Sequence, residues 1–363
     1  MSALEKTLDN KSARRERPWK ALGKGPRARF AAFREEKPHL FLLALMMLVP
    51  LFMINPTTWA VLTISGLAMG AMVFLMASGM TLTFGLMNVL NLAHGAFISL
   101  GAFAGATVLT VWLNGYSGDS SLLVNLVAIL PALGFALAVA GLVGLLFERL
   151  VIKPVYGDHL KQILVTVGGS IILLELIQVI WGPNEIPVPR PDALRGAFIV
   201  SDAIPLIGGI ALEKYRLIAV LLGLAVYGLM TWVIDRTRVG VLIRAGVEDR
   251  EMVEVHGYRI RLLFLGVFVA GSALAGLGGA MWAMYREIIT AHMGDELMIS
   301  VIVVIILGGL GSIKGCFYGA ILVGLINLYV GFLEPRLAAV ATVGLMVGVL
   351  MWRPQGLIPV IKV

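Results

Sequence analysis

The chain alternates between long apolar runs and short polar breaks. Runs read at Leu40–Ile54, Thr57–Met80, Gly95–Leu113, Leu122–Phe147, Gln162–Trp181, Leu217–Ile234, Leu262–Met284, Leu297–Leu310, Phe317–Phe332 and Leu337–Met351. The longer of them have about 17–25 residues, the length that crosses a bilayer as helix. Stretches such as Leu40–Ile54 and Leu217–Met230 lack the two-residue alternation of a transmembrane β-barrel. The pattern predicts an all-α polytopic membrane protein with about ten transmembrane helices. Pro50 and Pro131 fall inside apolar runs, where kinks are expected.

Two breaks differ from ordinary loops. In Gly79–Ala102, Asn88, Asn91 and His94 sit among Gly85, Gly95 and Gly101. Backbone freed by glycine is costly in lipid and is tolerated where it is buried in protein or lines a cavity. The amides and the histidine recur every three residues, so a helical segment would place them on one face. They either line a path for a polar solute or tie neighbouring helices together; the flanking glycines favour the path. The second break, Leu307–Gly315, carries Gly308, Gly309, Gly311 and Ser312. Glycine-interrupted, discontinuous helices in corresponding places of two halves point to an internal inverted repeat with the path at its interface.

Composition agrees with a membrane protein: 59% apolar and 14% charged, against roughly 25% charged for soluble domains, with a mean hydropathy of +0.91. The net charge of +7 is no sign of nucleic-acid binding, because residues 1–38 hold eleven Lys/Arg and five Asp/Glu. They read as a basic cytoplasmic tail near anionic lipid, followed by a transmembrane domain over 39–363. Alternating the spans from a cytoplasmic N-terminus puts 23 Lys/Arg inside and 6 outside, which places both termini in the cytoplasm. Both glycine breaks then fall toward the cytoplasmic side, as candidate gate elements. Pro183, Pro187, Pro189 and Pro191 make 182–216 an extended outer cover. In the inner loop 235–261, Glu248, Asp249 and Glu251 suit the first turn of a helix and Gly257 its end. Such a helix, with basic flanks, would make a docking element. The single cysteine, Cys316, excludes an internal disulfide.

Catalytic chemistry is not legible. No phosphate-binding G-x-x-x-x-G-K-[ST] occurs, and the five histidines are scattered, with no metal-ligand spacing. Glu175 is the clearest ionisable residue inside a span; it is either functional or a polar partner in helix packing. So few intramembrane acids argue against an ion-coupled transporter acting alone. They favour a pore-forming subunit driven from outside the chain.

Five motifs, in order between about Leu62 and Leu357, carry a resemblance. They are Gly79-Met-Thr-Leu-Thr-Phe-Gly85 leading to Asn91-Leu-Ala-His-Gly95; Glu148-Arg149 with Pro154-Val; Arg244-Ala245 followed by Glu248-Asp249 and Gly257; Leu307-Gly-Gly-Leu-Gly-Ser-Ile-Lys-Gly315; and Arg353-Pro-Gln-Gly-Leu357. The sequence resembles the permease subunits of branched-chain amino-acid ATP-binding-cassette (ABC) importers, a family that includes urea and amide permeases. The resemblance implies a bacterial inner-membrane subunit that pairs with a second permease, two cytoplasmic ATPases and a periplasmic binding protein. No cofactor would sit in this chain; ATP would bind the partners. The path would run by Gly85, Asn88, Asn91, His94, Gly95, Gly308, Gly309, Gly311 and Ser312. ATPase coupling would fall to Arg244, Ala245, Glu248, Asp249, Glu251 and Gly257. Relatives often carry Glu after His-Gly where this chain has Ala96, which leaves the substrate open.

Overall fold

The computed structural model describes residues 37–87, 91–112, 122–200, 210–248 and 250–359. The basic tail expected over 1–38 therefore lies almost wholly outside the described residues, as do Asn88 and Asp249. Twelve α-helices are described: α1 Pro38–Leu51, α2 Pro56–Met87, α3 His94–Trp112, α4 Leu122–Phe147, α5 His159–Trp181, α6 Lys214–Arg236, α7 Arg238–Glu248, α8 Arg250–Val255, α9 Ile260–Arg286, α10 Met293–Gly308, α11 Ile313–Leu333 and α12 Ala338–Trp352. Eight are long and apolar enough to cross a membrane, and each corresponds to one of the predicted runs. The two remaining runs form α1 and α10, of 14 and 16 residues. At 1.5 Å per residue these reach about 21 and 24 Å, short of a hydrocarbon core of about 30 Å.

The bundle of residues 46–363 is built around α2. Its 32 residues extend about 48 Å, and every described position from Gly70 to Thr83 is buried. A helix apolar on all faces belongs inside a bundle, and α2 packs against α6, α9, α10 and α11. Small residues set these contacts. A methyl at Gly70 would run into the Ala320 carbonyl and Ile321 of α11, and one at Gly79 into Gly271 of α9. Without a hydrophobic force between helices in lipid, close backbone approach of this kind supplies the attraction. Many exposed residues of α5, α6 and α12 are large and apolar, among them Ile172, Leu176, Leu221, Leu229, Val340 and Met351, which suits a surface against lipid.

We call the end of the bundle that carries α7 and α8 the basic end, and the opposite one the cap end. At the cap end, the described residues of 182–213 are largely extended, as the prolines predict, apart from a 3-10 turn at Asp192–Leu194, and they are also paired. Strand β1 (Ile186–Pro187) pairs antiparallel with β4 (Ile288–Ile289), and β2 (Ala197–Val200) pairs with β3 (Ile210–Glu213). Arg190 fastens this cap. It is 8% exposed, and it donates from Nε to the Met284 carbonyl and from Nη2 to the Tyr285 carbonyl, at 3.0 and 3.1 Å. It also pairs with Glu213 and, at 3.2 Å, with Glu287, and its guanidinium lies 4.8 Å from the Tyr215 ring centre.

At the basic end, α4 winds into a π turn at Glu148–Ile152. Pro154 explains the ending: it offers no N–H, and its ring would clash with the carbonyl four residues back. The buried Glu148 accepts a hydrogen bond from the Tyr156 hydroxyl at 3.1 Å. Asp158 then caps α5, accepting from the Lys161 amide at 3.1 Å.

Candidate functional site

The two glycine breaks meet. Gly85 in the last turns of α2 abuts Gly311, and a methyl on either would run into the other's Cα. The C-terminal segment closes on the same point: the amides of Leu357 and Ile358 donate to the carbonyls of Leu307 and Gly308, each at 3.0 Å. Three of the five motifs, far apart in sequence, thus form one junction at the end of α10. In the second break the glycines are needed for conformation as well as space, since Gly309 and Gly311 hold φ of 102° and 79°, where L side chains are strained. Ser312 caps α11, accepting from the Gly315 amide at 3.0 Å.

The first break differs from expectation. α2 runs unbroken through Gly79 and Gly85 to Met87, while Gly95 and Gly101 lie inside α3. These glycines serve close packing, not unwinding. A methyl on Gly95 would run into Gly294 and Asp295 at the start of α10, and one on Gly101 into Gly276 of α9. Asn91 and His94 do not share a helix face. Asn91 precedes α3 and turns the chain into it: its Oδ1 accepts from the Ala93 amide at 3.1 Å, and its carbonyl from the His94 amide at 3.2 Å. His94 opens α3, and its Nε2 donates to the Met76 carbonyl of α2 at 2.8 Å. Met76 lies eleven residues before Met87, about 16 Å along the helix, so α3 begins deep within the bundle.

Asn91 and His94 are each 1% exposed. In this conformation neither side chain faces open space; both are spent on the subunit's own packing. Gly95, Gly308, Gly309 and Ser312 are likewise buried in helix contacts, and Gly85 and Gly311 are half-buried where they meet.

The loop 235–261 holds two helices instead of one. Glu248 is the last residue of α7 rather than first-turn, and Glu251 lies within α8. Gly257 ends α8 as predicted, at φ 85°. Its amide donates to the Glu254 carbonyl at 2.9 Å, and the Tyr258 amide to the Val253 carbonyl at 3.3 Å, the paired bonds of a Schellman ending. α7 buries Gly240, Ile243 and Gly246, three apart, while Val239 and Val241 stay exposed. Arg244 reaches back to the end of α6, donating to the Ile234 carbonyl at 2.6 Å and lying 3.9 Å from Asp235. Lys314 pairs with the same Asp235 at 2.9 Å. Ala245 packs with Leu242 on the small core of Val253, Ile260 and Phe264, which Met87 of α2 also touches. The loop is therefore seated on the ends of α2, α6, α9 and α11. Met252, Val255 and Tyr258 are exposed on its free side, at 56%, 82% and 52%.

Comparison with known proteins agrees with this architecture. Residues 62–351 match the model of the family described as branched-chain amino acid transport system / permease component. The chain belongs to this family. The match runs from within α2 through nearly all of α12, so both glycine breaks and the seated loop lie inside the matched region. The chain is 27% identical over 298 residues to the high-affinity branched-chain amino acid transport system permease protein BraD of Pseudomonas aeruginosa, covering 81% of this chain and 94% of that protein. It is 25% identical over 298 residues to LivH of Escherichia coli K12, covering 81% and 93%. LivM of the same organism, a second permease type, is 28% identical over 347 residues, covering 90% of this chain and 76% of LivM. No solved structure matches. The protein is a multi-pass membrane protein of transport-permease type.

Sequence reasoning missed Arg190, whose partners lie 23 to 97 residues away (Glu213 to Glu287). It also missed His292 and Asp295 at the start of α10, which stand 3.5 Å apart. Their only signal was a polar pair at the head of an apolar run.

Proposed function

We propose that this chain is one membrane half of an ABC importer in the bacterial inner membrane, carrying branched-chain amino acids. The family match over residues 62–351 carries this reading, and the relatives' names supply the substrate class. A second permease subunit completes the pore, a periplasmic binding protein delivers solute to the cap end, and two ATPases dock at the basic end, which lies in the cytoplasm. ATP binds and is hydrolysed on those ATPases; this chain contributes no catalytic residue and no cofactor site.

The coupling role falls to the α7–α8 unit, around Arg244, Ala245, Glu248, Asp249, Glu251 and Gly257. Its supporting feature is mechanical. The unit is tied to the α6 end through Arg244 and to α2 and α9 through the Val253–Ile260–Phe264 core, so a push on α8 reaches the central helix. The junction of Gly85, Gly308, Gly309, Gly311 and Ser312 is the pivot on which α2 and α10 move, and Asn91, His94 and Gly95 hold the start of α3 beside it.

The test is reconstitution with the companion subunits in proteoliposomes holding ATP. ATP-dependent uptake of labelled leucine, isoleucine or valine is expected, with loss of uptake in Glu248→Arg. Uptake of urea or short amides instead would reassign the substrate. Uptake by this chain alone on an ion gradient would overturn the importer assignment.

A further inference from the structure

α5 has two unlike edges. At 3.6 residues per turn, Leu173, Leu176 and Ile180 fall on one side. There they line an apolar groove of about 330 Å³ with Leu146 and Leu150 of α4 and its π turn. Glu175 and Gln178, one turn apart, fall on the other, where the exposed Ile171 and Val179 stand one turn to either side of Glu175. Gln178 Nε2 lies 3.5 Å from His292 Nε2, and His292 Nδ1 lies 3.5 Å from Asp295 Oδ2. A polar link thus joins α5 to the start of α10. It is not sealed inside the subunit: Glu175 is exposed, and the side chains of His292 and Asp295 are 63% and 46% exposed.

Depth makes this exposure informative. Glu175 lies within the candidate span Leu160–Trp181, about 7 Å from its midpoint at 1.5 Å per residue, inside a hydrocarbon half-thickness of about 15 Å. A charged side chain at that depth faces the bundle interior or water rather than lipid, because lipid offers it no partner. The apolar groove on the opposite edge bears no such group, and lipid can cover it at no cost. The contrast orients the helix.

We infer that the Glu175–Gln178 edge of α5, with His292 and Asp295, faces an aqueous cavity and forms one wall of the solute path, while the Leu176–Ile180 edge faces lipid. This rests on the importer reading for the word solute, but the orientation can be tested without transport.

Single cysteines are placed at Glu175, Gln178, Leu176 and Ile180 in a Cys316→Ala background, the native thiol being 1% exposed. Each variant replaces the native chain in its own membranes and is checked for folding by detergent size exclusion. A charged, membrane-impermeant methanethiosulfonate is then applied, and rates are read by mass shift. Glu175→Cys and Gln178→Cys should each react at least tenfold faster than Leu176→Cys and Ile180→Cys, and either polar-edge variant carries the test if the other fails to fold. Equal or reversed rates, or reaction at 175 and 178 only after denaturation, overturn the wall. Normal leucine uptake by the unsubstituted chain with slow labelling at 175 and 178 would sink the wall alone, whereas fast labelling there with no ATP-driven uptake by the unsubstituted chain would sink the importer reading alone.

Discussion

His94 and Met76 stand 18 residues apart and are joined by a 2.8 Å hydrogen bond from the imidazole Nε2 to the main-chain carbonyl. The bond ties the first residue of α3 to the middle of the central helix. A buried carbonyl already used by its own helix accepts it, so the histidine gains a partner that no water could supply at that depth. His94→Phe keeps a ring but removes the donor and should lower stability by about 1–3 kcal/mol. Thermal unfolding in detergent checks this, and His94→Gln, which retains a donor, should recover part of the loss.

The α3–α9 crossing leaves no room for one methyl group. A Cβ on Gly279 would run into the Ile98 carbonyl, whereas Gly266 of the same helix has nothing within 4 Å. Gly279→Ala should therefore cost about 1–3 kcal/mol by overpacking. Gly266→Ala should be neutral or slightly stabilising through helix propensity. Equal thermal midpoints for the two variants would show that the crossing relaxes freely.

Arg190 is buried among two carboxylates and two carbonyls. Arg190→Met leaves the two carbonyls without its donors, while Glu213 keeps Arg216 at 2.7 Å, and should destabilise the cap by about 1–3 kcal/mol. Limited proteolysis should then cut between 182 and 216 well before the helices are lost. Arg190→Lys restores the charge but not the planar fork, and should protect the cap only in part.

Asp158 gives a pH signature at the head of α5. Its carboxylate is held below the ordinary value of 3.8 by the Lys161 backbone amide and then by the Lys161 side chain. A depressed folded pKa contributes stability that is present above the unfolded value and lost as pH falls through the folded one. Exchange protection of the first turn of α5 should weaken below about pH 3.8. Asp158→Asn, which cannot ionise, should remove that dependence.

Gly257 tests the seat of α8. Its φ of 85° costs an L residue about 1–2 kcal/mol. Gly257→Val should loosen the α8 ending and reduce ATP-driven uptake, with Gly257→Asn milder because Asn tolerates this region. Full uptake in Gly257→Val would mean the ending carries no force.

The helices were legible because span length and apolarity are local properties. The run Gly95–Leu113, for example, forms α3 at His94–Trp112. The roles of Asn91 and His94 were not. Three-residue spacing reads as a helix face, yet Asn91 stands outside the helix, and its amide oxygen is taken up by the turn that starts it. Glycine was equally ambiguous: Gly85 and Gly311 both mark a break in sequence, but only Gly311 has a positive φ, and Gly85 is there to admit Gly311. Glu175 was visible as an intramembrane acid, while His292 beside Gln178, and Asp295 beside His292, required the return of the chain from α9 into α10.

The pairing of β1 with β4 has a consequence for biogenesis. Ile186 meets Ile289 about 100 residues later, so the first strand reaches the cap end long before its partner is made. At about 5–20 residues per second, synthesis leaves it waiting on the order of 5–20 s. Over that interval the strand edge has no mate, and Arg190 beside it has Glu213 but still lacks the Met284 and Tyr285 carbonyls and Glu287. The cap consequently cannot close until β4 is made, after α9 and before α10, and the stage of synthesis at which it is most open to quality-control proteases lies between the emergence of α5 and that of α10.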